Sequence, residues 1–115
     1  MSDSPMREPT FLVLTALAAE PRHGYAVIED VAQMTAGRVR LRAGTLYAAL
    51  DRLRVDGLIE IDREEVVQSR LRRYYRLTGA GEQSLTAESA RLRAQATIAE
   101  RRLRARRTEL GGATA

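Results

Sequence analysis

The chain has 115 residues, 44% hydrophobic and 30% charged, a globular balance that makes one cored domain feasible and a disordered chain implausible. It has no cysteine and a single histidine, His23, so disulfides and thiolate metal sites are excluded and a histidine metal centre within one chain is not expected. All 19 cations are arginine against 15 acids, net +4, and the excess lies after residue 37, which points to a polyanionic partner.

Residues 1–8 are polar and read as a flexible N-terminus. Pro9 suits a first helical turn, and Phe11, Leu12, Leu14, Leu17 and Ala18 follow at helical spacing, so a helix is expected from about Pro9 to Ala19. Pro21 stops it. A second helix is expected over Gly24–Thr35, with Tyr25, Ile28, Val31, Ala32 and Thr35 on its inner face and Gly37 as the C′ residue. Val39-Arg40-Leu41 alternates and predicts a short strand.

A third helix is expected over Thr45–Asp56, buried along Leu46, Ala49, Leu50 and Leu53 and ended by Gly57. Two strand-like runs follow, Leu58–Arg63 and Leu71–Leu77. Glu64–Arg70 forms a hairpin tip between them that is either mobile or an extension of both strands. Thr78 is a good N-cap for a long helix of about 30 residues, roughly 45 Å. Leu85, Ser89, Leu92, Ala96, Ala99 and Leu103 step by four and three, a heptad seam with small residues at its middle. A disordered tail is expected over residues 110–115.

The expected fold is mainly α with a small β-hairpin, a winged helix-turn-helix over 9–78 followed by a dimerisation helix over 79–109. In that plan the third helix enters a DNA major groove and the hairpin, or wing, reaches the neighbouring backbone. The outer face of the third helix begins with small, uncharged residues (Gly44, Thr45, Ala48) that allow close backbone approach. Arg40 and Arg42 precede them and Arg52 and Arg54 follow. In the hairpin, Arg70, Arg72, Arg73 and Arg76 are interleaved with Tyr74 and Tyr75, a combination suited to phosphate. Arg73 shares a side with Tyr75 and is alternatively a partner for Asp51 or Asp56.

Four ordered segments carry a family resemblance: His23-Gly24-Tyr25; Gly44-Thr45-Leu46-Tyr47 with Leu50 and Arg52-Leu53; Gly57-Leu58-Ile59; and Arg73-Tyr74-Tyr75-Arg76-Leu77-Thr78 with Gly81. Together they resemble the PadR family of bacterial transcription regulators, in its small subfamily with a single C-terminal helix. The resemblance implies a winged-helix homodimer, usually a repressor, on double-stranded DNA. It implies DNA contact by Gly44, Thr45, Tyr47 and Ala48 and by the wing arginines. The full expected DNA-binding set is Arg42, Gly44, Thr45, Tyr47, Ala48, Arg52, Arg70, Arg72 and Arg73. Two departures stand out: Ser69 and Leu71 replace the usual Gly and Pro near the wing tip, and Ala48 stands where proline is frequent.

The expected dimer interface is Leu85, Leu92, Ala96, Ala99 and Leu103, with Phe11, Leu12 and Leu14 of the first helix. A small-molecule effector at the interface, near Ala96 and Ala99, is one reading of those alanines, and close helix approach is the other. His23 is expected to cap the second helix while Tyr25 packs. A protein-interaction module that uses Arg101–Arg107 on an acidic partner is the rival reading. No catalytic set, phosphate loop or cofactor motif is visible, so neither an enzyme nor a cofactor is expected. No run approaches the ~18 apolar residues of a membrane span, so no membrane partner is expected. A cytoplasmic, nucleoid-associated protein is.

Overall fold

The computed structural model describes residues 5–114. The expectation of a flexible N-terminus falls partly outside them, at residues 1–4, as does the expectation of a disordered tail at Ala115. The chain divides into two units, 1–85 and 86–115.

In the first unit, helix α1 (Glu8–Ala19) starts at Arg7, whose carbonyl accepts the Phe11 N–H at 3.1 Å, and Pro9 lies in its first turn. Leu12, Val13, Leu14, Ala16 and Leu17 are all buried, so α1 is the central helix rather than a surface one. This corrects two interface expectations. Leu12 and Leu14 are consumed in the chain's own core, and Phe11 packs partly buried against it. Leu12 and Leu14, buried in that core, have no side chain left for a second chain.

A two-residue strand, β1 (Arg22–His23), follows, then α2 (Gly24–Met34). Arg22 ties the corner together. Its Nε–H donates to the Ala16 carbonyl at 3.0 Å, and its guanidinium lies 3.8 Å from Asp30. The buried face of α2 is Gly24, Val27 and Val31; Val31 is buried and Ile28 packs partly buried against the core as expected, whereas Tyr25 points outward. Helix α2 ends in a Schellman motif: the Ala36 N–H reaches the Gln33 carbonyl and the Gly37 N–H reaches the Ala32 carbonyl. Ala36, not Gly37, is the C′ residue, at φ 51°, and Gly37 follows at φ 82°.

Val39 and Leu41 form no strand. They pack partly buried against the core from an irregular segment, and the Val39 N–H is satisfied by the Thr35 hydroxyl at 3.0 Å. Helix α3 (Ala43–Val55) buries Leu46, Leu50 and Leu53. Its own Schellman motif runs Gly57 N–H to Arg54 and Leu58 N–H to Leu53, both 3.0 Å, with Gly57 at φ 76°.

Strands β2 (Ile59–Val67) and β3 (Arg70–Leu77) make an antiparallel hairpin, and the sheet order is β1-β3-β2. The tip extends both strands. Val67 pairs with Arg70, and Gln68 and Ser69 both take left-handed φ, 51° and 65°, the type I′ turn that matches strand twist. Asp62 is bulged out of register between the Ile61–Tyr75 and Arg63–Tyr74 pairs. Ile59 and Tyr75 close the core beneath.

Helix α4 (Gly79–Thr114) begins in the first unit. The Thr78 hydroxyl accepts the Gly81 N–H at 3.0 Å and donates to the Gly57 carbonyl at 2.7 Å. Gly81 lies so close to the Leu58 carbonyl that a Cβ there would collide with backbone. Leu85 is half-buried against the core.

The second unit is the rest of α4. The helix continues to Thr114, past the expected end at 109, with residues 110–114 helical where a disordered tail is expected. Leu92, Ala96, Ala99 and Leu103 lie exposed along it, as do Ile98 and Leu110.

Candidate nucleic-acid interface

The first turns of α3 present Gly44, Thr45, Tyr47 and Ala48 to solvent, and Tyr47 is 47% exposed. This follows from the Leu46, Leu50, Leu53 stripe, which turns the intervening residues outward. Arg40 and Arg42 precede that face in the chain and Arg52 and Arg54 follow it. All four are exposed, and no described ion pair engages them. Arg38, by contrast, is taken up by a two-armed pair with Glu8, at 2.6 and 3.1 Å.

The wing arginines fall into two groups. Arg73 donates through Nε to Glu64 at 2.9 Å, so its partner is its cross-strand neighbour rather than Asp51 or Asp56. Arg76 is held by Glu60 at 2.8 Å and Asp62 at 3.4 Å. Arg63 bridges Asp62 and Glu65 while stacking 3.9 Å over the Tyr74 ring. Arg63's hydrogen bond holds the Glu65 carboxyl below its ordinary 4.5. Arg70 and Arg72, nearest the tip, enter no described ion pair. The acids thus neutralise the base of the wing and leave the cationic end at its tip.

An open cleft of about 400 Å³ separates the wing from the helices. Its walls include Tyr47 and Asp51 from α3, Tyr25 from α2, His23, and Arg70, Arg72 and Arg73 from β3. The cleft exists because β1 pairs β3 only at Tyr74 and Tyr75, leaving no strand beside residues 70–73 on that edge. Of the expected DNA-binding residues, the cleft gathers Tyr47, Arg70, Arg72 and Arg73. Arg42, Gly44, Thr45, Ala48 and Arg52 do not line it.

Tyr25, 66% exposed, is the residue that periodicity misassigned. Two stripes compete on α2, and the clue to the correct one is Gly24. Tyr47's phenol lies where a Gly24 side chain would be, so that face is the packed one. His23 caps α2 as expected, with Nδ1 accepting the Ala26 N–H at 3.2 Å. Its ring meets Tyr74 edge-on at 5.3 Å. Burial, reinforced by the nearby Arg72 charge, holds its pKa below the ordinary 6.5.

The family model of the PadR-like transcriptional regulators matches residues 13–87, the helices, wing and first turns of α4. The chain belongs to the PadR-like family. Membership makes it a transcriptional regulator rather than an enzyme. Among curated relatives, the transcriptional regulator Rv3488 of Mycobacterium tuberculosis is 42% identical over 65 residues, 56% of this chain and 47% of that protein. The chain therefore spans about half of that relative's length. A PadR family regulator from Eggerthella lenta superposes with a TM-score of 0.68 at 28% identity, covering 83% of each chain. Bacillus subtilis PadR, solved in complex with operator DNA, shares the fold with a TM-score of 0.64 at 23% identity. That match covers 72% of this chain and 47% of the other.

Proposed function

We propose that this PadR-like chain is a sequence-specific DNA-binding repressor that acts as a homodimer on a pseudo-palindromic operator. The observation that carries this reading is the exposed, uncharged start of α3, Gly44-Thr45 with Tyr47 and Ala48, with the exposed Arg40 and Arg42 before it in the chain and Arg52 and Arg54 after it. A helix tip without bulk or charge can approach base edges in the major groove while the flanking guanidiniums hold the phosphates. Bacillus subtilis PadR, which shares the fold, is solved in complex with operator DNA, and this supports DNA as the partner.

The exposed Leu92, Ala96, Ala99 and Leu103 of α4 supply the seam between chains, with the two alanines allowing close approach. Two-fold symmetry then sets two copies of α3 one helical turn of DNA apart, or a multiple of it. An effector acting at this seam must bind one inter-chain geometry better than another. Displacement of bound duplex by a compound is the measurement that reveals it. Binding to chromosomal DNA would place the protein in the cytoplasm; no described helix is long and apolar enough to cross a membrane.

The deciding experiment is in vitro selection of bound duplexes with the purified protein. A two-fold motif with half-sites one turn apart is expected. Recovery of unselected sequence, with retention of an acidic protein partner instead, overturns the reading in favour of an interaction module.

A further inference from the structure

Helix α2, helix α3 and the wing are joined at one side chain. His23 ends β1, where it pairs with Tyr74 of the wing, and it caps α2 through Nδ1, which accepts the Ala26 N–H at 3.2 Å. The next residue, Gly24, opens α2 against α3, because the Tyr47 phenol occupies the space that a side chain on Gly24 would fill. Helix α3 therefore rests on the turn that His23 caps, and the wing strand is paired to the same residue. His23 is also the one histidine of the chain, the side-chain type whose ordinary pKa lies nearest neutrality.

The cap does not survive protonation. An imidazolium carries a proton on both nitrogens and has no acceptor left, so the Ala26 N–H loses its partner and the first turn of α2 loosens. The new charge also lies edge-on to the Tyr74 ring, 5.3 Å away, over which the Arg63 guanidinium already sits at 3.9 Å. The groups that face His23 are Glu29 from α2, Glu65 from β2, Arg72 and Tyr74 from β3 and, across the cleft, Tyr47 and Asp51 from α3. Burial and Arg72 disfavour the imidazolium, and Glu29 and Glu65 favour it. The first two prevail, so the cap is intact at neutral pH.

We infer that His23 is a positioning residue for DNA reading and an acid-sensitive latch: neutral, it holds α2, α3 and the wing in the arrangement that discriminates the operator, and protonated, it releases them. The inference rests on the DNA-binding reading above. Base discrimination needs α3 and the wing fixed together, whereas a hold on phosphates alone does not. Operator-bound protein therefore carries fewer protons at His23 than protein held on unrelated sequence, and by linkage the preference for operator falls as pH falls. The phosphate field of DNA favours the imidazolium in both complexes, so the ratio of the two affinities isolates the latch.

The test measures the affinity of the full chain for the selected operator and for a mixed-sequence duplex from about pH 7.5 to about pH 5, over the range in which far-UV circular dichroism shows it folded. The wild-type preference for operator is expected to fall on the order of 5–30-fold, the worth of one helix cap in each of one or two protomers. His23→Asn keeps an acceptor that no proton removes, and its preference is expected to stay constant across that range. His23→Ala, capless at every pH, is expected to show the reduced preference already at neutral pH. In the wild type the Ala26 amide resonance is expected to titrate together with the His23 imidazole, and in His23→Asn that step is expected to vanish. If the wild-type preference is flat with pH, or falls equally in His23→Asn, the latch is wrong and the regulator reading stands. If the wild-type chain prefers no duplex sequence even at neutral pH, the regulator reading falls and the latch falls with it.

Discussion

Ala36 ends α2 at φ 51°, a left-handed conformation that an L-residue with a side chain adopts at a cost of roughly 1 kcal/mol. Glycine carries no such penalty but loses more entropy on folding. Ala36→Gly is therefore expected to stabilise the fold by about 0.5–1 kcal/mol in urea denaturation. Gly81 makes the opposite case. A methyl group there meets the Leu58 carbonyl, which is backbone and cannot swing away. Gly81→Ala is expected to cost on the order of 2 kcal/mol or more by the same measurement. His23 adds a pH term. Its folded pKa lies below its ordinary 6.5, so the unfolded chain binds the proton more readily. Its contribution to stability is full above about 6.5 and is lost as pH falls through the folded value. His23→Asn, which retains a capping oxygen, is expected to flatten that acid-side slope in denaturation midpoints measured across pH.

At the scale of elements, the wing's two strands hold five arginines and four acids, and the pairing between them decides which cations face outward. Glu64→Gln releases Arg73 and is expected to tighten mixed-sequence duplex binding, with a salt slope steeper by up to about 0.9. The stripe Leu46, Leu50, Leu53 and the two long strands were legible because each repeats its period several times. Strand β1 was not, since two residues carry no period and owe their pairing to Tyr74 and Tyr75 on a distant strand. Val39 and Leu41 misled for a related reason. Alternation records which side of a segment is buried, not whether another strand lies beside it. Arg73's partner was equally hidden, because it depends on the cross-strand register with Glu64 and not on spacing along the chain. The neutral tip of α3 was visible in advance because it follows from the same stripe that buries the helix.

At the scale of the molecule, the proposed repressor needs two copies of the chain, and the exposed seam of α4 is where a charge should separate them. Leu103→Asp is expected to shift sedimentation to the monomer mass and to abolish operator binding at concentrations that saturate the wild type, while residues 5–85 keep their melting behaviour. For the intact dimer, 6–10 phosphate contacts imply an affinity loss of about 10³–10⁵-fold between 50 and 200 mM salt. The wing's geometry also carries an evolutionary corollary. With a tight I′ turn at Gln68-Ser69 and side chains alternating in direction along β3, the orientation of Arg70 and Arg72 depends on the parity of residues between them and Tyr75. Removing one residue from each strand would swing the guanidiniums to the opposite surface, whereas removing two would merely shorten the arm. Working relatives with longer or shorter wings should thus differ from this one by even steps per strand, a rule that a sequence count alone can check.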